Sequence, residues 1–172
     1  MAVRTILRMG DRRLLQVASP VESIPSAWLD RLLDDMFDTM RAADGVGLAA
    51  PQIGEGYRVV VFGFDENARY PQQSPVPRTV LINPRIEVTD STELMDWEGC
   101  LSVPGMRGRV ARPTAIRYQG LDATGEPIDR TVSGFHARVV LHECDHLDGI
   151  LYPQRISDMR EFGFEEALAV ED

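Results

Sequence analysis

Lysine is absent from this chain. All 18 basic residues are arginine, set against 27 acidic side chains, for a formal charge of -9. Without a primary amine there is no P-loop lysine, no Schiff-base lysine of the pyridoxal or aldolase kind, and no ATP-pairing kinase lysine. The negative balance argues against broad binding to nucleic acid or to anionic membranes. Cysteine is scarce: Cys100 and Cys144 are too few for a disulfide framework and read as core, metal-binding or catalytic thiols. Histidine is scarce too, and His136, His142 and His146 all fall within one short stretch. No segment approaches the ~20 apolar residues of a membrane span. Residues 1–10 lack the apolar run of a secretory signal. A cytoplasmic protein with no membrane partner is expected.

What is present is ordinary for a folded chain. With 172 residues, 44% hydrophobic and 26% charged, the sequence fits a single catalytic domain over 1–172 that buries its own core. An amphipathic helix should follow Pro25-Ser26, where Trp28, Leu32, Met36 and Met40 recur every four residues with Leu33 and Phe37 beside them. Asp30, Asp34, Asp35 and Arg41 would face water, and Asp44-Gly45 ends the helix. A run of small residues, Gly45-Val46-Gly47-Leu48-Ala49-Ala50-Pro51-Gln52, comes next with one polar side chain set in it. Residues 58–64 read as a buried strand and 65–78, with three prolines, as a connecting surface loop. Short strands are expected at 79–82, 85–89, 115–118 and 128–132, broken by Pro84, Pro104, Pro113 and Pro127. A second helix should start after Ser133-Gly134, run to Leu147 and stop at Gly149. The expected fold class is α+β, with short antiparallel strands packed around the second helix and the N-terminal amphipathic helix beside them.

The second helix carries His142-Glu143-Cys144-Asp145-His146. Residues four apart share a helical face, so His142 and His146 can hold one divalent ion while Glu143 reaches a water on it. Phe135, Val139, His142 and His146 lie at spacings of 4, 3 and 4, so the histidine face continues the inward apolar stripe. A lone histidine there would read as a core residue; a pair pointing inward needs partners. The third ligand is open on residue type alone. Glu161, Glu165, Glu166 and Glu171 downstream are acidic candidates. Cys100, in Glu98-Gly99-Cys100-Leu101-Ser102, is the other, and a thiolate with two imidazoles suits zinc or ferrous iron.

Three segments together resemble the peptide deformylases: Gly45 to Gln52, Glu98 to Ser102, and His142 to His146, in that family's order and spacing. Ile6-Leu7-Arg8-Met9-Gly10-Asp11 and Arg13-Leu14-Leu15 add to the likeness, which spans about residues 5–155. The resemblance implies removal of the formyl group from the N-terminal formyl-methionine of nascent polypeptides. It implies one divalent metal per chain on Cys100, His142 and His146, ferrous iron in the cell, with zinc, nickel or cobalt able to take the site. Glu143 would be the base, with the Gln52 amide and the Leu101 N–H at the formyl oxygen and Gly47 admitting the substrate backbone. Val46, Phe135 and Val139 would line the methionine pocket, and Arg107 would lie near the peptide path. Glu98 and Arg112 would brace a histidine ligand. Cys144 would pack on the far side of the helix.

The tail departs from the family. Deformylases with a long basic C-terminal helix dock on the ribosome through it, whereas residues 157–172 hold six acidic side chains and one arginine. Ribosomal RNA would repel such a segment. A metallopeptidase built on the same helix, which would cut peptide bonds instead of releasing formate, is the nearest rival. A closed structural zinc site is a second, but it would need Cys144 as a ligand and leaves Gln52 unexplained.

Overall fold

The computed structural model describes residues 2–168, and its first helix begins where the apolar spacing predicts. Helix α1 spans Ala27–Ala42, with the Ser26 hydroxyl accepting from the Leu29 N–H at 3.3 Å as its N-cap. Its buried stripe of Leu29, Leu32, Leu33, Met36, Phe37 and Met40 packs on Leu48, Ile53, Val59, Val61 and Ile82. Trp28, at the start of the stripe, is only partly buried and sets its ring edge-on to Tyr57 at 4.7 Å. Asp35 departs from the expected solvated face. It takes the Ala2 N–H at 2.8 Å and the Arg4 guanidinium at 3.1 Å, and so ties the start of the chain to the helix.

One antiparallel sheet holds the molecule together: β1 (Gly47–Ala49), β2 (Val59–Phe64), β3 (Val76–Cys100), β4 (Val103–Leu121) and β5 (Pro127–Ser133), in that spatial order. A short β6 (Phe162–Phe164) pairs with β4 at Met106–Gly108. The α+β class is as expected, but the strands are not short. β3 is 25 residues long and β4 is 19. The prolines that were expected to end strands sit at irregularities or strand starts: Pro84 falls in the register shift between Ile82 and Arg85, Pro113 opposite Glu93 beside another shift, and Pro127 opens β5. A bulge relieves the missing N–H without ending the ladder.

Helix α2 spans Gly134–Leu147 and lies against β1, β2, β4 and β5. Ala137, Val139, Val140, Cys144 and Leu147 enter a core with Phe62, Leu81, Ile116 and Tyr118. Gly149 ends it with φ +73, and a Cβ there would lie 2.6 Å from the Leu15 carbonyl, so both conformation and space call for glycine. The described part of the acidic tail folds back as β6 and the single-turn helix α3 (Glu165–Leu168), with Glu161 on Arg109 and Glu165 on Arg107, both at 2.8 Å. Among the described residues no helix is long and apolar enough to cross a membrane.

Candidate functional site

Three pieces of chain meet at one end of α2. Cys100 is the last residue of β3 and pairs with Val103 across a tight turn made by Leu101 and Ser102. The helix contributes His142, Glu143 and His146. A 3-10 turn after β1, Ala50–Ile53, contributes Gln52. The opening segment braces two of these pieces, the Leu7 N–H donating to the Gln52 carbonyl at 2.8 Å and the Met9 N–H to that of Ser102 at 2.7 Å.

The donor atoms of Cys100, His142 and His146 lie within 4.8 Å of one another. Cys100 Sγ is 3.3 Å from His146 Nε2, and the two imidazole centroids are 5.1 Å apart. His142 Nδ1 is 2.9 Å from Glu98 Oε2, which turns its other nitrogen toward the thiol. Glu161 and Glu165 are engaged by arginines at the sheet edge and are not part of this cluster, and Glu171 lies outside the described residues.

Glu98 anchors a buried charge network. Its Oε1 accepts from Arg112 Nε and Arg138 Nη1, both at 2.8 Å, and its Oε2 from Arg112 Nη2 at 3.0 Å besides His142. Arg112 also donates to Asp145 Oδ2, which Arg155 reaches from the surface. Burial opposes the charge on Glu98, but His142 and Arg112 outweigh it and hold the carboxyl well below the usual carboxylate range. Burial likewise opposes the Cys100 thiolate, and His146 and His142 overcome it, so the thiol sits well below its ordinary range. For His142, burial works against the proton, while Cys100 and Glu98 raise its basicity well above normal. A field that favours a proton between two anions also favours a cation in its place.

Glu143 is buried, and burial pushes its carboxyl up to about 7. Among the described residues its Oε2 has no hydrogen-bond partner, a costly state for a buried carboxyl unless a donor arrives. Among the described residues His146 Nδ1 is also unpartnered, so no carboxylate braces that side of its ring as Glu98 braces His142. Thiolate, two imidazoles and an unsatisfied carboxyl beside them fit a divalent ion carrying water. The side chain of Gln52 is held by its amide oxygen Oε1, which accepts the Ala49 N–H at 2.8 Å, so its NH2 points at Ser102 Oγ (3.1 Å) and Cys100 Sγ (3.5 Å).

The cavity over this cluster is lined by Val46, Gly47, Leu101, Phe135 and Val139 as well as by Gln52, Cys100, His142 and Glu143. Gly47 faces Glu143 itself: a Cβ on it would collide with the carboxylate. Arg107 does not line the cavity. Its guanidinium holds Glu165 and the Arg69 carbonyl and lies 5.2 Å from the Tyr70 ring. The loop at 65–75 is more than a connection, since Arg69 and Tyr70 line the cavity and Tyr70 packs 4.9 Å from Phe135. Nothing local in the sequence marked those two. Arg138 was findable, because it precedes His142 by four residues and shares its face. Cys144 lies in the apolar core, where burial pushes its thiol up, away from reactivity.

Residues 3–162 match the family model described as polypeptide deformylase. Peptide deformylase 2 of Ralstonia nicotianae is 60% identical over 166 residues, covering 96% of this chain and 94% of that protein. Peptide deformylase 1 of Nitrosomonas europaea is 58% identical over 168 residues, with the same coverage. Among solved structures, the class I type b peptide deformylase of Acinetobacter baumannii with Met-Ala-Ser bound superposes with a TM-score of 0.87 at 39% identity, over 90% of this chain and 99% of that one.

Proposed function

The chain belongs to the polypeptide deformylase family, and from that premise we propose which of its residues carry the reaction. It is a hydrolase that removes the formyl group from the N-terminus of nascent peptides. We infer that Cys100, His142 and His146 hold one divalent ion and that Glu143 is the general base. The observation that supports this most is the buried Oε2 of Glu143, without a partner among the described residues, beside a thiolate and two imidazoles that share one small volume.

When bound, the ion supplies Lewis-acid activation of a water molecule at neutral pH. Glu143 takes the proton of the attacking water on its free oxygen and later gives it to the leaving amine nitrogen. Gln52 Nε2 and the Leu101 N–H donate to the formyl oxygen as negative charge grows there. Val46, Phe135 and Val139 hold the methionine side chain. Glu98 orients His142, with Arg112 and Arg138 keeping Glu98 ionised. Ferrous iron is our choice of ion, because one soft thiolate with two imidazoles accepts it; zinc, nickel and cobalt accept the same donors. The described part of the acidic tail is tied to β4 by ion pairs, so we assign no ribosome docking to it.

Glu143→Gln tests the assignment. The variant should keep its metal and lose formate release from formyl-Met-Ala-Ser by about 100-fold or more. Near-normal turnover of a metal-loaded variant would remove Glu143 from the chemistry. Anaerobic purification with metal analysis tests the ion, with iron expected and loss of activity on exposure to air.

A further inference from the structure

Among the described residues, the cavity over the metal cluster carries one uncompensated cation. Of the charged groups lining it, Glu98 and Arg138 neutralise each other, and His142 and Glu143 belong to the metal set. Arg69 is the remaining one. Among the described residues its guanidinium makes no ion pair and no hydrogen bond to an acceptor, and it lies 5.8 Å from the Tyr70 ring centre. It is partly exposed, so an unpaired charge there is stable in water and open to a ligand.

Its position is fixed by built contacts. Asn67 Nδ2 donates to the Asp44 carbonyl at 3.1 Å, which ties the loop to the chain just before Gly45. Asn67 Oδ1 takes the Arg69 N–H at 2.9 Å, and Arg107 Nη2 donates to the Arg69 carbonyl at 3.3 Å. Tyr70 leans on Phe135, a wall of the cavity. The guanidinium extends over Gly99, where a Cβ would stand 3.0 Å from its Nη2, next to the Cys100 ligand. Arg107, the arginine expected on the peptide path, is already neutralised by Glu165.

We propose that Arg69 is a specificity-determining residue that reads the substrate beyond its methionine and favours an acidic side chain at the second or third position. This rests on the reading that methionine lies among Val46, Phe135 and Val139, which places the following residues at the cavity edge where Arg69 stands. A single unpaired cation at a site entrance in a chain of net charge -9 attracts a carboxylate by Coulomb force. An arginine that bound only backbone carbonyls would serve every peptide alike.

The test is calorimetric binding of unformylated tripeptide amides to the zinc-loaded full-length protein. Met-Glu-Ser and Met-Ala-Glu are compared with Met-Gln-Ser and Met-Ala-Gln, so that length and shape match. At least one glutamate peptide should bind about two- to fivefold tighter than its glutamine partner, the range of a partly exposed ion pair. The preference should shrink in about 1 M salt, vanish in Arg69→Gln and survive in Arg69→Lys. Equal affinities at both positions in the native protein would overturn the proposal. So would a preference unmoved by Arg69→Gln, or an equal loss for all four peptides in that variant. Binding of unformylated peptides requires no turnover. A charge preference that depends on Arg69 therefore supports the proposal even if the roles given to Glu143 and Gln52 fail in a formate-release assay.

Discussion

The missing side chain of Gly47 and the carboxylate of Glu143 claim the same space: a Cβ on Gly47 would overlap Glu143 Oε1 and stand 2.6 Å from Cδ. Sequence reading gives Gly47 to the substrate backbone. In the structure the atoms nearest a Cβ on it all belong to Glu143, the residue we propose as base. Strand β1 is pressed against α2, and glycine is what lets the carboxyl lie between them. Gly47→Ala should therefore displace Glu143 and lower formate release about 100-fold, the cost of an ångström-scale misplacement. Metal content should stay normal, since the three atoms nearest that Cβ all belong to Glu143. A Gly47→Ala enzyme with native turnover would show that the base has room to spare.

Arg138 donates to Glu98, to the Val110 carbonyl at 2.9 Å and to the Leu94 carbonyl at 2.6 Å, all from a buried position. Arg138→Met would take a donor from each of these two carbonyls and strip one cation from a buried carboxylate. Urea unfolding should show a loss of about 3–5 kcal/mol. Metal affinity should fall about tenfold or more, because Glu98 would hold His142 less firmly. A loss below about 1 kcal/mol with unchanged metal affinity would contradict the network's role.

His136 is the histidine outside the metal set. It packs against Phe62 and Tyr118, and burial and then the nearby Arg130 lower its basicity below the ordinary 6.5. Above 6.5 the ring is neutral in both folded and unfolded chains and costs nothing. As pH falls below 6.5 the unfolded chain takes up a proton that the folded one refuses, so this part of the stability is lost down to the folded value. An NMR titration of the metal-loaded protein should show His136 with a midpoint below 6.5. A midpoint at or above that value would contradict the packing account.

The parts that could be read from sequence are the parts carried by local pattern. Helix α1 follows from its four-residue apolar spacing and Ser26 cap, and α2 from its stripe and from Gly149. The metal cluster follows from His142 and His146 on one face and from the likeness of the Cys100 segment to a known family. Strand lengths did not follow, because Pro84 and Pro113 end a strand only if no bulge absorbs them, and bulges are set by the partner strand. Arg69 and Tyr70 did not follow either. Their place at the cavity goes with Asn67 bonding to the Asp44 carbonyl, 23 residues away in sequence. The ion pair of Arg107 with Glu165 did not follow either, because Glu165 comes from a tail that reads only as acidic.

The most direct measurement sets Cys100 against Cys144. Both are buried cysteines, but one faces the imidazoles and the other the apolar core. Metal content and formate release should be measured side by side, anaerobically, on Cys100→Ser and Cys144→Ala. Cys144→Ala should bind metal and release formate, losing about 1–2 kcal/mol of stability. Cys100→Ser should lose most of its metal affinity or its activity, because a hydroxyl is a far poorer ligand than a thiolate. Metal and activity that survive the change at Cys100 but vanish with the change at Cys144 would contradict the assigned site.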